Sequence, residues 1–222
     1  MALSHSPQIS LNGLTLCLDA GNRKSYPGSG TTWTDLSGNG NNGTLVNGVG
    51  YNSGNGGSFF IDATDDYIEA SPSVTISSGS NFTFGAFVNP NYINGNAGFW
   101  RDNVSNSFNI VQSGNNRPWI RWGGVNILQP GSGWSLTTGS WVYIVYTITS
   151  SSNAKVYANA DLKYDISHTT ATPTLNISAI GWQSSLLERI GGNYSQIHYY
   201  NRALTAQEIQ QNYNALKGRF SI

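Results

Sequence analysis

Short runs of β-branched and aromatic residues recur about every ten residues along this chain, and this spacing constrains its fold more than any other feature. Gly, Asn, Ser and Pro separate the runs, as turn residues do between strands. The predicted strands are Leu14–Ala20, Ser58–Ala63, Asp66–Ala70, Asn81–Pro90, Ala97–Asp102, Ser107–Gly114, Pro118–Gly124, Ser140–Thr149, Ala154–Ala160, Leu175–Trp182 and Tyr194–Asn201. Many short strands at this spacing predict an all-β fold in which two antiparallel sheets form a sandwich.

One helix is predicted near the C-terminus. Thr205 at the N-cap and Glu208 three residues later have the spacing of a capping box. The apolar stripe that follows at helical spacing consists of Ile209, Tyr213 and Leu216. Gly218 is the predicted C-cap. A single helix is too few for a doubly wound α/β sheet, so the helix is expected to pack on the sandwich.

The composition narrows the possible partners. Charged residues make up 10% of the 222 residues, and 11 acids balance 11 bases. This balance argues against nucleic acid or a membrane surface as a partner bound by bulk electrostatics. Cys17 is the single cysteine, which excludes an internal disulfide, and no apolar run is long enough to span a membrane. We predict an N-terminal arm, residues 1–10, and a single domain, residues 11–222.

The opening ten residues, MALSHSPQIS, lack the basic start and apolar core of a signal peptide. The Asn-, Ser- and Thr-rich composition with few charged residues is nevertheless typical of outward-facing proteins. Release by lysis, packaging into a particle or a dedicated secretion route would reconcile these two observations.

Gly38, Gly40 and Gly43 form a G-x-G-x-x-G pattern, which in other proteins cradles a dinucleotide pyrophosphate. That function needs a strand before the pattern and a helix that begins at its last glycine. The residues after Gly43 have no helical period, so we predict a surface loop. In it, Asn39-Gly40 and Asn42-Gly43 are expected to form turns.

The residue patterns of hydrolases are missing from this sequence. A glycosidase of sandwich fold needs two acids at a fixed separation, and no run of the type E-x-D-x-x-E occurs. The three histidines, His5, His168 and His198, are isolated from one another and from Cys or Glu at ligand spacing. We therefore predict that the chain is not an enzyme.

Three acids, Asp62, Asp65 and Asp66, lie together in FFIDATDDYIEA. They can cap a turn and keep a sheet edge soluble. Alternatively, with loop carbonyls, they can supply oxygen ligands to calcium. Both interpretations stay open, and calcium is the cofactor that the sequence allows.

Aromatic and basic residues alternate in two predicted strands, in GFWRDN and RPWIRWGGVN. The residues concerned are Trp100, Arg101, Trp119, Arg121 and Trp122. Trp and Arg side chains suit stacking on a sugar ring with hydrogen bonds to its hydroxyls, and they are also enriched where proteins contact one another. Large aromatic residues equally fill the core of a sandwich. The sequence leaves these three roles open.

Three stretches together resemble laminin G-like, concanavalin A-like jelly-roll domains. LTLCLDAGNRKSYPGSGTTWTDLSGNGNNGTLVNG resembles the opening of these domains, and GGSFFIDATDDYIEA resembles a characteristic strand pair. NYSQIHYYNRALTAQEIQQNYNALKGRF is similar to their ending, where a last strand runs through YNRAL into a short helix. The resemblance spans Leu11 to Phe220 and implies a two-sheet jelly roll. Gln196 stands where the family often has an acid.

Domains that end like NYNALKGRF resemble modules of virion proteins from cyanobacterial and marine phages. The resemblance implies a non-enzymatic virion protein: a capsid-decoration or tail-associated subunit on the outer surface of the particle. Its partners would be other virion proteins and further copies of itself. The first alternative is a glycan-binding module for attachment to the host surface, and a glycoside hydrolase is the second.

Five residues are predicted to have structural roles. They are Asp19, Trp33, Asp66, Tyr200 and Arg202. Trp33 is expected to anchor the glycine-rich loop, and Tyr200 to close the sandwich. Arg202 is predicted to pair with a buried acid such as Asp19 or Asp66, so that its replacement by alanine would cost several kcal/mol.

Overall fold

The computed structural model describes residues 8–62, 64–94, 98–102, 114–122, 125–181 and 189–222, with the backbone alone described at residues 94, 100–102, 122 and 189. Its strands are β1 (Leu14–Asp19), β2 (Thr32–Trp33), β3 (Asn42–Val46), β4 (Gly50–Asn52), β5 (Ser58–Ile61), β6 (Tyr67–Ile76), β7 (Phe82–Asn94), β8 (Trp100–Asp102), β9 (Ile120–Trp122), β10 (Val125–Leu128), β11 (Val142–Thr149), β12 (Asn153–Ala158), β13 (Asp161–Ser167), β14 (Leu175–Ile180) and β15 (Arg189–Tyr200). Helix α1 is Ala206–Leu216, and 3-10 turns span Gly54–Gly56 and Lys217–Arg219.

Two antiparallel sheets form the sandwich. The large sheet has the order β13-β12-β11-β7-β15-β5-β4, and β1 pairs with the C-terminal half of β15. The second sheet has the order β2-β3-β6-β14-β8, and β9 and β10 form a separate hairpin. The predicted all-β jelly-roll sandwich with a short C-terminal helix is thereby confirmed.

The central strands of the large sheet have both faces covered. On β7, Phe82, Phe84, Ala86 and Val88 alternate into the core between the sheets, as predicted. On β11 the residues in between, such as Tyr143, face a second core on the outer side of the sheet. This outer core is closed by α1 and Phe220, which explains why β11 is apolar on both faces.

Helix α1 begins with the predicted capping box, in which Thr205 and Glu208 bond reciprocally. The predicted C-cap is wrong, because Lys217 caps the helix and the chain continues as a 3-10 turn through Gly218. This extra turn brings Phe220 onto the ring of Phe87, with 4.7 Å between ring centroids.

Two arginines near the C-terminus form ion pairs, and the predicted partner of Arg202 is wrong. Arg202 pairs with Glu208 of the capping box, with 2.9 Å between Nη1 and Oε2. The predicted partner Asp19 pairs with Arg219 instead, at 2.9 and 3.0 Å. Asp66 accepts a hydrogen bond from the backbone N–H of Asp62 at 3.3 Å.

Buried residues tie the N-terminal residues to the helix. Tyr200 is fully buried, and its hydroxyl donates to the carbonyl of Ser10 at 2.9 Å. The N–H of Ser10 donates to Oδ1 of Asn212 in α1 at 2.7 Å. Trp33 is also fully buried, in the core between the sheets.

Several strands lie outside the predicted set. These are β2, β3, β4, β10 and β13. The predicted Asn42-Gly43 turn is wrong, because both residues belong to β3, where a Cβ on Gly43 would lie 2.9 Å from Ile68. The predicted strand Ser107–Gly114 lies outside the described residues except for its last position.

Candidate functional site

A groove of about 240 Å³ lies where three strands of the large sheet meet the loop before β11. Trp134 and Trp141 of this loop line it, and the ends of β12 and β13 supply polar groups from Asn159, Asp161 and Lys163. We call it the tryptophan groove.

The two tryptophans are held by different cores. Trp141 precedes β11 and packs on Phe220 of the outer core, with ring centroids 4.6 Å apart and planes at 41°. Trp134 packs against the core between the sheets. The Tyr164 hydroxyl donates to the carbonyl of Trp134 at 2.5 Å and lies 3.2 Å from the carbonyl of Ser132, which fixes the loop. Both rings are therefore oriented before any ligand arrives.

The polar lining is also fixed by the fold. Asn159 has a φ of 53° in the turn between β12 and β13, and its Oδ1 accepts from the N–H of Tyr143 at 2.9 Å. The Asn159 amino group has no hydrogen-bond partner among the described residues and is a free donor. Lys163 pairs with Asp161 at 3.3 Å, and the side chain of Asp161 is 78% exposed. The hydroxyls of Thr137 and Ser140 complete the lining.

This arrangement suits a ligand with flat apolar faces and many hydroxyls. Ligand sites combine aromatic walls with a few placed polar groups that set orientation. The rings of Trp134 and Trp141 can stack on C–H faces. The amide, carboxylate, ammonium and hydroxyl groups can donate to and accept from ligand hydroxyls. A sugar ring has this chemistry.

Trp119 and Arg121, both predicted from the sequence as contact residues, lie outside the tryptophan groove. Trp119 is 6% exposed, and its Nε1 donates to Oδ1 of Asn126 at 3.0 Å. Arg121 lies over the Trp119 ring, 5.8 Å from its centroid, and is exposed. Trp119 therefore packs within the β9–β10 hairpin and offers no free ring face. The side chains of Trp100, Arg101 and Trp122 lie outside the described residues, although their backbones belong to β8 and β9.

The acidic residues predicted as a metal site do lie together. One carboxylate oxygen from each of Asp62, Asp65 and Asp66 lies within 4.8 Å of the others. Burial and the neighbouring charges of Asp62 and Asp65 raise the pKa of Asp66. The N–H of Thr64 donates to Asp62 at 2.7 Å and lowers the pKa of that carboxyl. Three carboxylates fall short of the six to eight oxygens of a calcium shell, so backbone carbonyls or water would have to complete it.

The glycine-rich loop is organised around a carboxylate of the protein itself. Asp35 accepts from the N–H groups of Cys17, Ser37 and Asn41 at 2.8, 2.9 and 3.0 Å. These are the donors that a phosphate would need. Gly38 and Gly40 have φ values of 88° and 76°, which turn the chain back into β3 and not into a helix. The loop therefore supplies hydrogen-bond partners to β1. The carbonyl of Cys17, which faces away from β15, also accepts from the N–H of Leu36 at 2.8 Å.

Comparison with known proteins places the fold. Residues 62–210, more than half of the chain, match the sequence pattern of a protein family, the concanavalin A-like lectin/glucanases superfamily. The chain belongs to this superfamily. No curated protein sequence matches this concanavalin A-like chain.

Solved structures share its fold at low sequence identity. Domain 4 of AbnA, a GH43 extracellular arabinanase from Geobacillus stearothermophilus in complex with arabinotriose, has a TM-score of 0.69 and 18% identity, with 90% of this chain and 97% of that one covered. The binding domain of Paraclostridial Mosquitocidal Protein 1 has a TM-score of 0.62 and 17% identity, with 91% and 52% covered. A Trypanosoma rangeli sialidase in complex with 2,3-difluorosialic acid has a TM-score of 0.65 and 14% identity, with 95% and 34% covered.

These likenesses concern the fold alone. The present chain spans about a third of the sialidase and about half of the mosquitocidal binding domain. Enzymes and a binding domain share the concanavalin A-like sandwich, so the fold by itself does not decide between catalysis and binding. Among the described residues, no helix is both long and apolar enough to cross a membrane.

Proposed function

We propose that this chain is a non-catalytic glycan-binding module, and that the tryptophan groove is its binding site. The observation that carries the proposal is the pairing of Trp134 and Trp141 around fixed polar groups at one end of the large sheet. Because the two rings are already fixed by separate cores, binding costs little side-chain conformational entropy. A polar ligand that buries only a modest apolar area can therefore still bind.

The lining of the groove supports binding over hydrolysis. Glycoside hydrolysis needs two carboxyl groups on either side of the scissile bond. Among the nine residues that line the groove, Asp161 is the only acid, and Lys163 is paired with it. A bound sugar would therefore have one carboxylate beside it in this lining and not the pair that hydrolysis needs.

A structural relative also supports a carbohydrate ligand. The GH43 arabinanase domain was solved with arabinotriose, and 97% of it overlaps this chain. Arabino-oligosaccharides are therefore the first ligands to test, beside a broad panel of neutral and acidic glycans.

The experiment is a glycan array with the purified chain, with and without calcium, followed by calorimetry on each hit. Trp134→Ala and Asp161→Asn should each weaken binding at least tenfold, because each removes a group that lines the groove. Val125→Ala, an exposed change in the β9–β10 hairpin, is the matched control. Binding that both groove variants retain in full, at unchanged melting temperatures, would move the site elsewhere. Turnover of a bound polysaccharide would refute the non-catalytic part.

The proposed location is the outer surface of a phage particle, with other virion proteins and further copies of this chain as partners. The C-terminal NYNALKGRF stretch supports it through its likeness to virion modules, and a glycan-binding module there would serve host attachment. Mass spectrometry of purified particles should find the chain, and electron microscopy should place it on a capsid or tail. Particles that lack it would overturn the location and leave glycan binding untouched. Sedimentation of the pure chain tests self-association.

A further inference from the structure

A row of side chains crosses the outer face of the large sheet and ends at Trp141, which also lines the tryptophan groove. On β5, Phe60 lies between Phe59 and Ile61, which both point into the core between the sheets, so Phe60 points outward. It is 37% exposed. The same alternation turns Asn193 outward beside Tyr194, and Asn89 outward beside Val88.

The strand registers place these side chains in one line. Phe60 is paired with Asn193, and Asn193 is paired with Asn89. Val142 is paired with Val88, so Trp141 lies one position further along, beside Asn89. The N–H of Gly139 donates to the carbonyl of Pro90 at 2.7 Å, which keeps this segment alongside β7. We call Phe60, Asn193, Asn89 and Trp141 the outer band.

The outer band ends in the tryptophan groove, because Trp141 belongs to both. From β5 through β15, β7, β11 and β12 to β13 there are five steps between neighbouring strands. At about 4.8 Å a step this is on the order of 24 Å. Such a length exceeds what a single sugar ring can occupy.

The chemistry of the band matches that of the groove. Aromatic rings at both ends, Phe60 and Trp141, enclose two carboxamides that can each donate and accept. Tyr92, 49% exposed, points outward near the band, because its neighbour Ile93 on β7 packs against the core between the sheets. The four band residues carry no charge, and the one acid and one base of the groove neutralise each other.

We infer that the tryptophan groove and the outer band form one continuous site for an extended, uncharged oligosaccharide, bound across the strands through the interior of its chain. The inference rests on the proposed function of the groove and adds the ligand class. A site for a terminal sugar would need the groove alone. A continuous band with rings at its ends and amides between them instead adds contacts for each further sugar that reaches it.

The test is calorimetry with arabino-oligosaccharides, malto-oligosaccharides and cello-oligosaccharides from the disaccharide to the hexasaccharide. For the series that binds, affinity should increase at least tenfold from the disaccharide to the hexasaccharide. Phe60→Ala should weaken the hexasaccharide about tenfold and change the disaccharide less than twofold. Trp134→Ala should weaken every length, and Val125→Ala should weaken none. Melting temperatures check that each variant is folded.

The outcomes separate the two proposals. A wild-type chain that binds no oligosaccharide of any length refutes the groove function, and this inference with it. Equal affinity for all lengths, or a Phe60→Ala chain that keeps the full length dependence, refutes the band and leaves the groove. A Phe60→Ala chain whose sedimentation changes while its hexasaccharide affinity does not shows that the band joins copies of the chain, which also overturns the inference. Tighter binding of an oligogalacturonate hexasaccharide than of the neutral series refutes the uncharged ligand class.

Discussion

The stability of this protein should fall as the pH falls, and one buried histidine is the main cause near neutrality. His198 lies on the outer side of β15, has no exposed surface, and its Nε2 is 2.8 Å from the Tyr143 hydroxyl. The rings of Tyr143 and Tyr200 contact it edge-on, each with a centroid separation of 5.5 Å. Burial disfavours the charged ring and lowers the pKa of His198 from 6.5 to about 3.

The sign follows from which state binds the proton. In the unfolded chain His198 gains a proton as the pH falls below 6.5, whereas in the folded chain it stays neutral down to about pH 3. The free energy of unfolding is therefore undiminished above 6.5 and decreases between 6.5 and about 3. From about pH 7.5 to about pH 5 the loss should be about 2 kcal/mol.

Urea denaturation followed by tryptophan fluorescence at these two pH values measures the loss. The window lies above the range in which Glu208 titrates, since the pKa of that carboxyl is lowered from its ordinary 4.5 to about 2 in the folded chain. His198→Gln is less stable at both pH values but should lose most of the pH dependence. A wild-type chain equally stable at both pH values, or a His198→Gln chain with an undiminished decline, would refute the reasoning.

Three further changes test other contacts. Arg202→Ala should lower the free energy of unfolding by about 1–2 kcal/mol in urea denaturation, because the guanidinium lowers the pKa of Glu208 to about 2. The loss is no larger because solvent reaches about a quarter of each side chain. An unchanged free energy of unfolding would contradict this. Asp35→Asn should cost about 2–3 kcal/mol by leaving buried N–H groups poorly paired, and an unchanged melting temperature would argue against it. Gly85→Ala should prevent normal folding, since a Cβ there overlaps the ring of His198, so a native near-ultraviolet spectrum would count against that packing.

The fold could be predicted from the sequence because its signals are local. Strand spacing, the alternation on β7 and the capping box at Thr205 each depend on neighbouring residues, and the structure has all three. The edge strand β13 lies outside the predicted set although Leu162, Tyr164 and Ile166 alternate with polar residues in DLKYDIS, because this charged edge segment is largely exposed and lacks the continuous apolar run of the central strands. Local reading also failed at Gly43, where packing against Ile68 decides the backbone.

The candidate site depends on contacts that sequence reasoning cannot pair. Trp134 and Trp141 flank a polar loop, GWSLTTGSW, which is a usable signal in retrospect. Their separation into two cores nevertheless follows from the register of β11 and from Phe220 near the end of the chain. The predicted ion pair of Arg202 with Asp19 is wrong for the same reason. Asp19 pairs with Arg219, 200 residues away in the sequence, and Arg202 pairs with Glu208.

The glycine-rich loop limits how β1 can interact with other copies of the chain at high local concentration. Every second residue of β1 points its backbone groups away from β15, and such groups on a bare strand would recruit a strand from another molecule. Here the carbonyl of Thr15 accepts from Ser37 and Asn41, Cys17 is bonded on both sides, and the N–H of Asp19 donates to Ser25. These four backbone groups are therefore already bonded within the chain and cannot pair with a strand of a neighbour. Even at high local concentration, copies of the chain are therefore hindered from forming an intermolecular sheet by strand pairing through these groups of β1.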